Sequence, residues 1–246
     1  MELGQRRTLR GTRLVPGLFE CGLLLCWGTV SLSSLAVSGI VGESALLPCV
    51  NSSLGKVADY KIRVYWQKAG QCVHAFYSGQ EQANQQYGNR TKLFKEEFNQ
   101  GNFSLHLSDI RVSDDAEYKC IIQTKQPTSD YDVVLSVLVT LQVAAHYTDP
   151  VLTSVPQQRD LGCGELSKLI CSSWGGYPKP IVNWTNSIPN ILNENSTVEN
   201  HITCPGKELC NVTSILWVEG TLDSITCSIY NAKLQENKTT TLFCSK

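Results

Sequence analysis

From Val41 to Lys246 the apolar positions fall in short alternating runs. Phe103, Leu105 and Leu107 alternate with Asn102, Ser104 and His106, and Val212, Ser214, Leu216 and Val218 alternate with Asn211, Thr213, Ile215 and Trp217. A period of two is the signature of a half-buried strand. Turn signals recur at about every 8 to 12 residues, so the pattern predicts an all-β chain of sandwiches rather than helical layers. The first residues follow a different grammar. Arg6, Arg7, Arg10 and Arg13 precede an apolar stretch from Leu14 to Val30, and the small residues Ser31 to Ser34 follow it. This is the layout of a secretory signal peptide, expected over residues 1–34 with its cut between Gly28 and Ala36. No later segment reaches ~18 uninterrupted apolar residues, so no membrane span is expected in this chain.

Two cysteine–tryptophan–cysteine sets recur along the alternating region. Cys49, Trp66 and Cys120 form the first, and Cys171, Trp184 and Cys227 the second. Tandem immunoglobulin sandwiches carry such sets, with a disulfide joining the two sheets and the tryptophan packed on it. In the first set Tyr118 stands two residues before Cys120, the place of a tyrosine corner, and Asp114 is positioned to pair with Arg90. In the second set Ile225 occupies the corner position. Cys49 and Cys120 are 71 residues apart, room for the two extra strands of a variable-type domain. Cys171 and Cys227 are 56 apart, which fits a constant-type domain. Pro150 cannot donate to a β-ladder and marks the passage between them. The expected organisation is a variable-type domain over 35–145 followed by a constant-type domain over 146–246.

Composition narrows the function. With 21 basic against 22 acidic residues and no basic stripe, nucleic-acid binding is not expected. Eleven cysteines imply an oxidising compartment, and nine remain after the leader takes Cys21 and Cys26. The four histidines, His74, His106, His146 and His201, are scattered, and no nucleophile-elbow, phosphate-loop or metalloprotease spacing is present, so no enzyme and no cofactor is expected. His201 with Cys204 and Cys210 is the one metal-like grouping, but secreted thiols usually pair with each other, and no metal is expected.

Arg63-Val-Tyr-Trp-Gln67, Tyr87-Gly-Asn-Arg-Thr91, the stretch from Leu135 to Ala145 and Gly176-Tyr-Pro-Lys-Pro-Ile-Val-Asn-Trp184 resemble the T-cell costimulatory ligand family of the immunoglobulin superfamily, the last two stretches being most like its inducible costimulator (ICOS) ligand branch. The resemblance implies a two-domain ectodomain. It would engage an immunoglobulin-like, ICOS-like receptor on T cells through the front sheet (strands C, C′, F and G) of the variable domain. A homophilic or heterophilic adhesion molecule of the same architecture, a coinhibitory ligand and a soluble decoy are the alternatives. The chain departs from the family pattern in its extra cysteines and in ending directly after its last strand. It is expected to be secreted or extracellular, or on the external face of the plasma membrane if an anchor follows.

The N-glycosylation sequons point to the same sheet without the family. They lie at Asn51, Asn89, Asn102, Asn183, Asn195, Asn211 and Asn237. In the first domain they flank strands B, D and E, leaving C, C′, F and G bare, whereas both faces of the second domain are decorated. With Trp66 and Cys120 inward, Arg63, Tyr65 and Gln67 on C and Lys119, Ile121 and Gln123 on F are expected outward. His74 and Phe76 on C′ are expected to join them. Aromatic, isoleucine and arginine side chains on one exposed face are what interface centres are enriched in. Of the remaining cysteines, Cys204 and Cys210 are close enough to close a small loop, Cys163 and Cys244 are placed to bridge the edge of domain two, and Cys72 is left beside the proposed face. Trp217 is expected outward, either under a glycan such as that of Asn211 or in a homodimer contact.

Overall fold

A computed structural model describes residues 34–58, 61–127, 130–155, 168–186, 197–218 and 223–243. The expected leader lies outside these residues except for Ser34, as do Asn195, Cys163 and Cys244. The first unit has nine strands: β1 (Ser34–Ile40), β2 (Ala45–Leu47), β3 (Ile62–Lys68), β4 (Gln71–Tyr77), β5 (Gln80–Ala83), β6 (Thr91–Leu93), β7 (Leu105–Leu107), β8 (Ala116–Lys125) and β9 (Tyr131–Ala144). They form a six-stranded front sheet in the order β1-β9-β8-β3-β4-β5 and a three-stranded back sheet, β2-β7-β6. This is the variable-type arrangement, with β4 and β5 as the two extra strands. β1 runs parallel to the second half of β9, from Ser34 opposite Leu138 to Ile40 opposite Ala144.

Alternation explains the core. Ile62, Val64 and Trp66 on β3, Leu105 and Leu107 on β7, and Tyr118, Cys120 and Ile122 on β8 are fully enclosed between the sheets. Burying each large apolar side chain stabilises the fold by about 1.5–3 kcal/mol. The Cys49–Cys120 disulfide ties the sheets together, and Trp66 Nε1 donates to the Phe103 carbonyl at 3.0 Å across the same gap. The corner forms as expected: the Tyr118 hydroxyl donates to the Asp114 carbonyl at 3.1 Å. Arg90 Nη1 meets the Asp114 carboxylate at 2.7 Å, and the Arg111 amide donates to that carboxylate at 2.9 Å.

The second unit contains β10 (Val151–Val155), β11 (Lys168–Gly176), β12 (Ile181–Asn186), β13 (Thr197–Thr203), β14 (Cys210–Trp217), β15 (Ser224–Asn231) and β16 (Glu236–Phe243). A four-stranded sheet, β10-β11-β14-β13, faces a three-stranded one, β12-β15-β16, which is the constant-type division. Cys171–Cys227 joins the sheets, and Trp184 packs in that core with its Nε1 donating to Ser214 Oγ at 2.8 Å. Ile225, fully buried, fills the corner position with packing alone. Cys204 and Cys210 are bonded to each other. Among the described residues no helix is long and apolar enough to cross a membrane.

The two units meet through a short elbow. Ala145 and Tyr177 exchange backbone hydrogen bonds at 2.9 and 3.1 Å, and Asn231 Nδ2 donates to both of their carbonyls. Tyr147 is buried beside them, its hydroxyl donating to the Pro178 carbonyl at 2.8 Å. Gly176 is required at this point, because a Cβ there would lie 2.2 Å from the Tyr147 ring.

Candidate binding face

The outward face of the front sheet is built around β3. Trp66 and Val64 point inward, so Arg63, Tyr65 and Gln67 point outward, each half-buried among its neighbours. Opposite them on β8 stand Gln123, Ile121 and Lys119 in register. Lys119 is exposed, whereas Ile121 and Gln123, though on the outer face, are 8% and 3% exposed. One row therefore runs across the sheet through cross-strand neighbours: Ser136 on β9, Ile121, Tyr65, Ala75 on β4 and Gln82 on β5. Tyr65 is the large side chain of that row, with Ile121 on one side and the small Ala75 on the other.

His74 and Phe76 do not belong to this face. His74 pairs with Trp66 and Phe76 with Val64, which turns both toward the core. Phe76 is fully buried, its ring edge-on to Phe98 at 5.0 Å. His74 is enclosed with its Nδ1 3.0 Å from Thr91 Oγ1 and its Nε2 3.2 Å from Glu81. The cause is a bulge in the β3–β4 ladder between Trp66 and Gln67. An unbroken ladder counted back from the two-residue turn at Ala69-Gly70 would put His74 and Phe76 on the outer side. One extra residue reverses every side chain beyond it. Burial holds the His74 imidazole below its ordinary pKa, with Glu81 opposing.

The same bulge brings Ala75 to the surface side, whereas Cys72, between the turn and the bulge, faces that side without it. Ala75 lies opposite Tyr65, and the buried Cys72 lies opposite Gln67. Sequence reasoning also missed Tyr131, whose ring lies under the Arg63 guanidinium at 3.5 Å. A stack of this kind fixes a long, flexible side chain and keeps its charge at the surface. Three buried polar atoms on this face, Arg63 Nε, Ser136 Oγ and Gln82 Oε1, have no hydrogen-bond partner among the described residues. Each such atom costs roughly 1–3 kcal/mol until water or a ligand group satisfies it. No signal in the sequence marks these atoms, because their isolation depends on packing.

The sequons stay off this sheet. Asn51 lies in the turn after β2, Asn89 in the turn before β6, and Asn102 bridges to Val50 ahead of β7. Asn102 is half-buried, its Nδ2 hydrogen-bonded to Glu97. In the second unit Asn183 on β12 and Asn237 on β16 share one sheet, and Asn211 on β14 lies on the other; all three are exposed. Among the described residues no group of three or more His, Cys, Asp or Glu is placed to hold a metal ion. Cys204 and Cys210, the thiols near His201, are consumed by their own bond.

Two disulfide-pinned sandwiches in series, the first with the extra strand pair, define a variable–constant tandem of the immunoglobulin superfamily. An immunoglobulin V-set domain model matches residues 33–140, and the Ig-C domain model of butyrophilin subfamily 3 member A2-like proteins matches 161–239. The chain is 31% identical over 217 residues to T-lymphocyte activation antigen CD80 of Oryctolagus cuniculus, covering 87% of this chain and 68% of that protein. It is 29% identical over 211 residues to ICOS ligand of Homo sapiens, covering 82% and 67%. A chain in the crystal structure of ICOS in complex with ICOS-L and an anti-ICOS-L VNAR domain superposes with a TM-score of 0.71 at 26% identity, covering 86% of this chain and 100% of that one. The protein belongs to the B7/butyrophilin-like costimulatory family of the immunoglobulin superfamily. It spans about two thirds of the length of these curated relatives and under half of the butyrophilins it matches.

Proposed function

We propose that the chain is the receptor-binding ectodomain of a cell-surface or secreted costimulatory ligand, with its two domains divided between Ala145 and His146. Its partner is a T-cell receptor of the immunoglobulin superfamily, ICOS-like in kind, docked on the outward face of β3, β8 and β9. The observation that carries this reading is the Tyr65–Ile121 pair at the middle of a sheet that bears no sequon, with Arg63 stacked beside it. An aromatic and an aliphatic side chain at the centre, ringed by Arg63, Gln67 and Lys119, have the composition of an interface hot spot and its polar rim. Kinship with ICOS ligand and CD80 supports the class of partner.

Binding of this size works at modest monovalent affinity and gains strength from display of many copies opposite many receptors. The test is a surface-binding titration against an ICOS-type receptor ectodomain. Tyr65→Ala is expected to weaken binding at least 30-fold with the fold intact, and plate-bound chain is expected to raise T-cell proliferation. Unchanged affinity in the variant would overturn the assignment of the face.

A further inference from the structure

The outer face of the β10-β11-β14-β13 sheet carries exposed apolar groups. Trp174 is 48% exposed and Trp217 41%. Single exposed apolar side chains are normal on a protein surface, so it is the neighbours of each ring that decide its role. The two rings have different neighbours. Trp217 lies beside Lys168, whose Nζ is 5.0 Å from its ring. Trp174 lies directly cross-strand from Asn211, the two residues being partners in the β11–β14 ladder. Asn211 is itself exposed and opens the sequon Asn211-Val212-Thr213, whose hydroxyl residue, Thr213, points to the same outer side.

We infer that the N-linked glycan on Asn211 is seated on Trp174, its first N-acetylglucosamine lying face-on against the indole. Directly opposed residues in an antiparallel ladder have Cβ atoms about 4.5–5.5 Å apart. A sugar attached to one of them therefore begins beside the other. The C–H-rich face of a pyranose is weakly positive and apolar, and it meets the negative face of the indole while its hydroxyls stay in water. The β11 ladder is shaped for this. Its register shifts between Trp174 and Gly176, and Gly175 adopts φ 77°, a conformation that favours glycine. Trp217 is six residues along β14 from Asn211, about 20 Å at the rise of a strand, and out of reach of the first sugar. The glycan expected over Trp217 thus has its seat at the other end of the same strand.

The experiment uses the full chain secreted from glycosylating cells in three forms: intact, trimmed by an endoglycosidase to a single N-acetylglucosamine, and stripped completely by an amidase. Hydroxyl-radical footprinting with peptide mass spectrometry reads the oxidation of Trp174, with Trp217 as the internal reference. The expected result is full occupancy of Asn211 and equal protection of Trp174 in the intact and trimmed forms. Complete removal is expected to raise Trp174 oxidation at least threefold, with Trp217 unchanged. Asn211→Gln should reproduce the stripped form, and Asn237→Gln should leave Trp174 protected. An unoccupied Asn211, Trp174 oxidation indifferent to removal of the last sugar, or protection already lost on trimming would each overturn the inference.

Discussion

Lys233 on the second domain holds Asp115 on the first, Nζ to Oδ2 at 2.9 Å. The same carboxylate oxygen accepts from the Tyr177 hydroxyl at 2.9 Å, and Lys233 also donates to the Val143 carbonyl at 3.1 Å. One acidic side chain thus receives two donors from the neighbouring domain, close to the Ala145–Tyr177 backbone bridge. Hydrogen bonds are directional, so the group restrains angle as well as distance. Asp115→Ala is expected to broaden the distribution of interdomain distances measured by double electron–electron resonance between spin labels on the two domains. Both charged side chains are partly exposed, so the accompanying loss of stability should be small, roughly 0–1 kcal/mol.

Phe76 and Tyr65 make a paired test of the bulge. Phe76→Ala removes a fully buried ring from the cluster with Phe98 and Phe103 and should cost about 3–5 kcal/mol of unfolding free energy. Tyr65→Ala, on the opposite side of the same sheet, should cost under about 1 kcal/mol, as partly exposed positions usually do. Chemical denaturation of both variants checks the order. A reversed order would place the bulge elsewhere.

His74 gives the first domain a defined acid sensitivity. Its folded pKa is lowered by burial, while the unfolded chain titrates near the ordinary 6.5. The unfolded state therefore binds the proton first. The stability contribution is fully present above about pH 6.5 and is lost progressively as the pH falls below that value toward the folded pKa. Melting temperature measured from pH 8 to pH 5 should decline below pH 6.5, and the decline should be shallower in His74→Gln.

The three described disulfides differ in the chain they close. Cys49–Cys120 closes 71 residues and Cys204–Cys210 only 6. On loop-closure entropy alone, losing the first should cost about 4 kcal/mol and the second about 2 kcal/mol. Denaturation of the double serine variants measures both. Cys204→Ser with Cys210→Ser should leave the first domain's transition unchanged.

The parts of the fold that were legible in the sequence are those fixed by a residue of known direction. Trp66 and Cys120 must point into the sandwich, so the outward sides of β3 and β8 follow by counting. Asp114, Arg90 and Tyr118 carry the corner in their spacing, and the Cys204–Cys210 loop was legible from proximity. β4 has no such anchor, and its direction had to be carried across a turn and through a ladder whose extra residue leaves no mark in composition. That is why His74 and Phe76 were misdirected. Tyr131 and Trp174 were missed for a related reason: each matters through a neighbour on another strand, Arg63 in one case and Asn211 in the other. Strand register, which no single segment encodes, brings those neighbours together.

The parallel pairing of β1 with β9 has a consequence for crowding. It covers Leu138–Ala144 of β9, so that margin of the front sheet is formed by the seven residues of β1 and by Tyr131–Val137, while the four residues of β5 form the opposite margin. Tyr131–Val137 and β5 each carry an acid, Asp132 and Glu81, and the first of them spans the β8–β9 bulge. Short, charged, kinked borders are poor templates for recruiting a strand from another molecule. Copies displayed densely on one surface, as the proposed function implies, would meet sideways at these borders. Cut into short stretches, two of them charged, the borders favour contact through the flat of the sheet over strand pairing.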